Sequence, residues 1–323
     1  MQVFASKKIY NFMRLRFASI TLSIIFMLIS VFLLATKGLN YGIDFSGGTL
    51  IQIKYEEKAP IDAIREAISV NEVLKTASVT EFGSSEEIVI RFAGSSDSLG
   101  TDISQSVGEL LRSTGKFEIR RVDIVGPKVG GELRQKGLLA ILVSFALILL
   151  YIAVRFEWRF AMAAILSEAH DVLIALGAIS LLGLDVNLDT LAAVLTVLAY
   201  SLNDTIIIFD RIREGIKTSK ESVLGKIINE SVSATLSRTT LTSGTTFVTV
   251  LILYMYGGDL IKDFSLILMI GVVAGTLSSI FVASPLLLWF RFNVLAFRKM
   301  LLDKAAREAA KQKERELYER GSV

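Results

Sequence analysis

The sequence predicts an α-helical membrane protein with six transmembrane helices, one plus five, and an extracytoplasmic α+β domain between helices 1 and 2. Three observations carry this. Hydrophobic residues make up 52% of the chain and the mean hydropathy is +0.55, which places it with membrane proteins rather than with two ordinary soluble domains. The apolar residues gather into six blocks of membrane length, at about Phe17–Ala35, Leu138–Val154, Phe160–Leu182, Leu188–Phe209, Thr240–Tyr256 and Phe264–Phe290. Between the first two blocks, 100 residues switch to the short alternating patterns of a folded domain.

Charge orients the spans. Lys7, Lys8, Arg14 and Arg16 precede the first, Arg155 and Arg159 link the second to the third, and Arg211, Arg213, Lys217, Lys220 and Lys226 follow the fourth. Such segments stay on the cytoplasmic side, so both termini are expected inside. The net charge of +3 therefore bears on orientation, not on nucleic acid. The first block is too long for a removable leader and has no small-residue cleavage site, so it is read as an anchor. Cysteine is absent, which excludes disulfides, thiol chemistry and Cys-ligated metal. The expected organisation is a cytoplasmic N-terminus (1–16), helix 1 (17–36), the outer domain (37–136), a five-helix bundle (137–292) with a cytoplasmic interfacial helix at 219–236, and a charged cytoplasmic tail (293–323).

After the first span, Gly42, Gly47 and Gly48 relax the backbone before a strand at Thr49–Tyr55. Ile61, Ile64 and Ile68 mark a helix. Ser78–Phe82 and Glu87–Phe92 read as strands separated by Gly83–Glu86, and Leu99, Ile103, Val107, Leu110 and Leu111 form one face of a second helix begun by Asp97 or Ser98 and closed by Gly115. Phe117–Val125 is the last strand. The order βαββαβ is that of the ferredoxin-like split, with enough chain for one modest core. GPKVGG at Gly126–Gly131 has the spacing of neither a dinucleotide motif nor a P-loop and is read, like Gly42–Gly48, as a flexible flank. No catalytic cluster is visible, so no enzyme activity, cofactor or metal is expected.

The third span carries Glu168, His170 and Asp171. Asp171 lies roughly 16 Å from the inner boundary, close to the midplane, and Glu168, three residues earlier, shares its face. His170, the single histidine, titrates near neutrality and suits a proton relay, with a packed neutral imidazole as the plain alternative. The fourth span holds Asn203 and Asp204 in YSLNDTIIIFDRIR (Tyr200–Arg213), Asp204 about 10 Å from Arg211. A charge inside lipid costs at least about 2.5 kcal/mol, so it faces protein or water and has a task. The plain alternative is an acid that only fixes helix packing.

Past the fourth span, Val223, Leu224, Ile227, Ile228 and Val232 follow an amphipathic helical spacing. The fifth span opens on TLSRTTLTSGTT, with Arg238 at its mouth, at a depth suited to pairing with Asp204, or alternatively snorkelling as an anchor. Its hydroxyls, Thr239, Thr240, Thr242, Ser243, Thr245, Thr246 and Thr249, are interhelical glue or the lining of a hydrated path. In the last span Gly271, Gly275, Ser279 and Ala283 recur every fourth residue, a stripe for close packing, and Pro285 is expected to kink it. Asp303–Arg320 reads as a solvated helix.

Taken together, GIDFSGGTLI (Gly42–Ile51), VGPKVGGEL (Val125–Leu133), YSLNDTIIIFDRIRE (Tyr200–Glu214), SATLSRTTLTSGTT (Ser233–Thr246) and GTLSSIFVASPLL (Gly275–Leu287) resemble the signature blocks of the SecD/SecF family, on its SecF side, within the resistance-nodulation-division superfamily of proton-driven membrane proteins. The resemblance covers most of the chain in order. It implies a subunit of the bacterial inner-membrane protein-export machinery, partnered by SecD, associated with the SecYEG channel and indirectly with YajC and SecA, acting on exported polypeptides through the proton-motive force. It also implies a proton path through Asp204, Asn203, Arg238, His170 and Asp171, and motif or hinge roles for Gly42, Asp44, Gly47, Gly48, Gly126 and Gly130. Tyr41 stands where Phe is commoner, and Glu168 has no counterpart in the family pattern. In this reading the approach or retreat of Arg238 switches Asp204 between loading and releasing a proton. Two other classes share the buried charges. A stand-alone proton-driven exporter usually carries twelve spans and two outer domains, and an intramembrane aspartyl protease with Asp171 and Asp204 as its dyad lacks the glycine setting before Asp204.

Overall fold

The computed structural model describes residues 8–75, 77–92, 103–258 and 261–319. A short 3-10 turn, Phe12–Leu15, leads into α1 (Arg16–Thr36). The strand β1 (Asn40–Tyr41) and the helical turn α2 (Ile43–Ser46) then enter the outer domain.

That domain runs β2 (Gly48–Tyr55), α3 (Ile61–Ser69), β3 (Ser78–Phe82), β4 (Ser84–Phe92), α4 (Ile103–Leu110) and β5 (Phe117–Val125). The four strands form one antiparallel sheet in the order β3-β4-β2-β5. Alternation sets its faces: Ile51, Ile53 and Tyr55 of β2 point into the core with Ile88 and Ile90 of β4, while the Ile64, Ile68, Val107 and Leu111 side chains close over them. The turn between β3 and β4 is tighter than the expected Gly83–Glu86, because Gly83 alone takes the positive φ of +72° and β4 starts at Ser84. The expected helix start at Asp97 or Ser98, with Leu99, lies outside the described residues.

The bundle consists of α5 (Pro127–Arg155), α6 (Trp158–Leu182), α7 (Leu188–Thr218), α8 (Leu224–Tyr256) and a last span built from α9 (Lys262–Ser278), a π-turn (Ser279–Ala283) and α10 (Ser284–Trp289). Among the described residues, five helices are long and apolar enough to cross a membrane: Phe12–Thr36, α5, α6, α7 and Lys262–Trp289. A helix of 26 residues, α11 (Val294–Glu319), follows.

Three expectations change here. Gly126–Gly131 is not a loop: Gly126 caps α5, Pro127 occupies the first turn where its missing N–H costs nothing, and the helix runs unbroken for 29 residues. The segment read as a separate interfacial helix at 219–236 is the beginning of α8, one helix of 33 residues that also contains the hydroxyl stripe. No helix breaker separates the two halves, so the ladder continues. The irregularity expected at Pro285 appears one turn earlier as the π-turn. Proline leaves the carbonyl four residues before it without a donor, and the Ser19 hydroxyl of α1 donates to that oxygen, Phe281 O, at 3.1 Å.

The small-residue stripe packs as its spacing requires. Gly271 lies on Val197 and Gly275 on Ser201, both of α7, so closely that neither position has room for a methyl group. The outer domain joins the bundle through a second close approach. β1 pairs in parallel with β6 (Asp185–Val186), in the turn between α6 and α7. The Asp44 carboxylate accepts the Leu188 N–H at 3.0 Å at the start of α7, and Arg91 of β4 ion-pairs with Asp185.

Candidate functional site: buried carboxyls of the helix bundle

Helix α6 turns a continuous polar edge into the bundle. Ser167, Glu168 and Asp171 are fully buried and His170 is 5% exposed. Asp171 collects two hydroxyl donors and a histidine ring nitrogen. His170 Nδ1 lies 2.8 Å from its Oδ1, and Oδ2 accepts the Ser201 hydroxyl of α7 at 2.5 Å and the Ser278 hydroxyl of α9 at 2.6 Å. One carboxyl thus ties three helices together, in surroundings where each such bond is stronger than in water.

Asp204, on α7 one turn beyond Ser201, is also fully buried. Its Oδ2 accepts the Ser243 hydroxyl of α8 at 3.1 Å, and the Thr276 hydroxyl of α9 stands 3.5 Å from the same oxygen and 2.8 Å from Ser243 Oγ. Each hydroxyl has one hydrogen, so the three groups share two donors. Asp204 Oδ1 is buried without a hydrogen-bond partner among the described residues.

The expected Asp204–Arg238 pair is not formed. Arg238 is exposed on the outer face of α8, while its neighbour Thr239 points inward, and no ion pair or hydrogen bond joins its guanidinium to Asp204. One residue is about 100° of helix rotation, so the position that enters the bundle beside Asp204 is Ser243, not Arg238. Asn203 is exposed as well, because it precedes the inward Asp204 by the same rotation. Asp171 and Asp204 bind different hydroxyl sets and share no partner, which is not the arrangement of a protease dyad.

The glycine motifs meet at the joint in close contact. Gly47, at φ +72°, lies against Pro127, where an added Cβ would stand 2.6 Å from Pro127 Cα, and a Cβ at Gly130 would stand 2.7 Å from Gly47 N. Gly48, at φ +131°, begins β2, and Gly42 N donates to Val186 O at 2.9 Å. The hydroxyls Ser201, Ser278 and Thr276 escaped the sequence reading as donors to the two carboxyls. The available signal is spacing: Ser201 precedes Asp204 by three, and Thr276 and Ser278 flank the small-residue stripe. Among the described residues no group of three His, Asp or Glu is placed to hold a metal ion.

With this geometry in place, the comparisons with known proteins are informative. Residues 106–293 match the family model for the C-terminal part of the protein-export membrane proteins SecD/SecF, and residues 32–59 match the SecD/SecF GG motif. The chain is 41% identical to the protein translocase subunit SecF of Helicobacter pylori over 323 residues, covering all of both chains. It is 44% identical to that of Vibrio alginolyticus, over 89% of this chain and 91% of the relative. Among solved structures it resembles SecDF, a translocon-associated membrane protein from Thermus thermophilus, with a TM-score of 0.82 at 34% identity, over 90% of this chain but only 40% of that longer one. SecDF in a super-membrane-facing form gives a TM-score of 0.66. Shared sequence over the full length, a shared fold and the same two motif regions at the packed joint and in the bundle show that this chain belongs to the SecD/SecF family of protein-export membrane proteins.

Proposed function

We propose that the chain is the SecF-type subunit of the bacterial Sec translocase accessory complex and that, with SecD, it uses the proton-motive force to promote protein export across the inner membrane. The observation that carries the reading is Asp204: a buried carboxyl with one oxygen on hydroxyls and the other without a donor, at the meeting point of α7, α8 and α9. Such a group changes its hydrogen-bond needs when it gains or loses a proton, and the helices that hold it must answer. One elementary charge moved through 100 mV yields about 2.3 kcal/mol, enough to bias a two-state rearrangement about fifty-fold.

A SecD-like partner accounts for a second feature. Asn203 on α7 and Arg238 on α8 are exposed polar side chains on helices read as membrane-spanning, whereas the exposed Thr245 and Thr249 hydroxyls already donate to carbonyls of their own helix. Facing lipid, Asn203 and Arg238 would be costly, but a partner with polar groups on its facing helices satisfies them. In the assembled complex Arg238 belongs to the partner-facing surface rather than to the interior of this bundle. The second half of α8 is read as a sixth span, the outer βαββαβ unit as a ferredoxin-like domain, and both termini as cytoplasmic, by the distribution of Lys and Arg. SecYEG, with YajC and SecA at one remove, is the expected assembly around it, and unfolded exported chains its cargo.

The test is Asp204→Asn in cells depleted of their own copy. Proton-dependent export is expected to be lost while the variant still accumulates in the membrane and still co-purifies with SecD. Normal export by Asp204→Asn would remove Asp204 from the mechanism.

A further inference from the structure

Glu168 is used by none of the contacts above. It is fully buried, and neither of its oxygens has a hydrogen-bond partner among the described residues. One helical turn along the same face, Asp171 takes two hydroxyl donors and a histidine ring nitrogen. An ionised carboxylate without a single donor in a dry interior costs far more than a neutral one, whereas a carboxylate so supplied is well satisfied. Like charges one turn apart oppose each other, so two carboxyls so close and so unequally supplied with donors are held at least cost with one proton between them.

We propose that Glu168 is a second proton-storing acid of this bundle, holding the one proton of a Glu168–Asp171 pair in the state seen here and passing it to Asp171 through Ser201. The Ser201 hydroxyl donates to Asp171 Oδ2 and also borders Glu168. In the transfer, Ser201 gives its hydrogen to Asp171 while its oxygen takes the hydrogen of the Glu168 carboxyl. The O–H bonds broken and formed balance, and the negative charge moves from Asp171 to Glu168. Such a step requires the donors around Asp171 to loosen, which a shift of α9 carrying Ser278 would do.

The groups facing the pair are few. Helix α6 supplies His170, whose Nε2 is buried without a partner and borders an apolar groove of about 710 Å³ between α1, α6 and α9. Helix α7 supplies the Ser201 hydroxyl and α9 the Ser278 hydroxyl. Among the described residues Glu168 has no ion pair with a Lys or Arg, and a proton is the charge that neutralises it.

The inference rests on the proposed proton-driven role for its purpose but not for its test. Infrared difference spectra of the full chain, co-purified with its partner and reconstituted in lipid vesicles, are compared with and without carboxyl-¹³C glutamate. We expect a protonated-acid carbonyl band that shifts with the label, disappears in Glu168→Gln and persists in Asp204→Asn. Glu168→Asp, the smaller change, must retain an acid but lose the sensitivity to labelled glutamate, which keeps the test decisive if Glu168→Gln does not fold. A spectrum with no label-sensitive acid band, or a band that survives in folded Glu168→Gln or Glu168→Asp, overturns the inference. Loss of export in Asp204→Asn with an unchanged Glu168 band would separate the two claims.

Discussion

A methyl group added at Gly130 would stand 2.7 Å from the backbone nitrogen of Gly47, whereas one at Gly131 meets nothing within 4 Å. Both substitutions gain about 0.5–1 kcal/mol of helix propensity, but only the first must also push backbone apart, at a cost of about 1–3 kcal/mol. Gly130→Ala is therefore expected to lower the melting temperature in detergent, and Gly131→Ala to leave it unchanged or raise it. Tyr55 gives a pH-dependent counterpart in the outer domain. Its ring is 3% exposed and its hydroxyl is 2.8 Å from Thr114 Oγ1; burial raises its pKa above the usual 10, the hydrogen bond opposing only in part. The unfolded chain then loses this proton first, so stability falls as pH rises through about 10. Tyr55→Phe should cost about 1 kcal/mol at neutral pH and flatten that alkaline decline, as urea titrations at both pH values will show. The residues differed in legibility. Asp204 and Asp171 stand out in any apolar run, because a charge there is conspicuous. Their partners do not, since Ser201 and Ser278 look like the small packing residues around them, and the outward turn of Arg238 depends on a helix rotation that spacing alone leaves open.

Helix ends carry contacts that bind elements far apart in sequence. Asp44 accepts the Leu188 N–H at the start of α7, beside the Asn187 side chain, which accepts from Thr190 N at 3.0 Å. Asp44→Ala is expected to cost about 1 kcal/mol, and Asp44→Asn less, because an amide oxygen still accepts; thermal melts of the two variants distinguish them. At the other end of α7, the Arg298 guanidinium of α11 donates to the carbonyl oxygens of Ile216, Ser219 and Glu221 at 2.6–2.7 Å. Arg298→Ala leaves these carbonyls to water, and amide exchange across 216–221 should quicken. The strands and spans themselves were readable from periodicity: β3 and β5 start and stop where alternation does. The long α5 and α8 were not, because glycine content and an amphipathic stretch argued for breaks, while unbroken hydrogen-bond ladders and packing against neighbours carried the helices through.

Across the whole molecule, the outer domain is fastened to the bundle by the β1–β6 pair, the Asp44 cap, the Arg91–Asp185 ion pair and the Gly47–Gly130 approach. Four contacts at one place make a joint that travels with the turn between α6 and α7. The glycines there, expected as a hinge, pack closely in this state. The chain has no cysteine, so Tyr41→Cys with Val186→Cys, partners in the strand register, introduces one disulfide without background. Oxidised protein is expected to keep its export activity, and activity that vanishes on oxidation and returns with reductant would put the movement at this joint.

The unbroken length of α8 has a mechanical meaning. At 33 residues it is a rod of roughly 50 Å, and a tilt of about 10° about Ser243, roughly 28 Å from its first turn, swings that turn by roughly 5 Å. Its first turns are clasped to the chain's beginning, where Met13 N donates to Asn229 Oδ1 at 3.0 Å, Asn229 Nδ2 to Asn11 Oδ1 at 3.0 Å and Tyr10 N to Ser233 Oγ at 2.9 Å. A tilt centred on Ser243, beside Asp204, would thus be felt at residues 10–13, the segment that leads into α1 and from there to the βαββαβ unit.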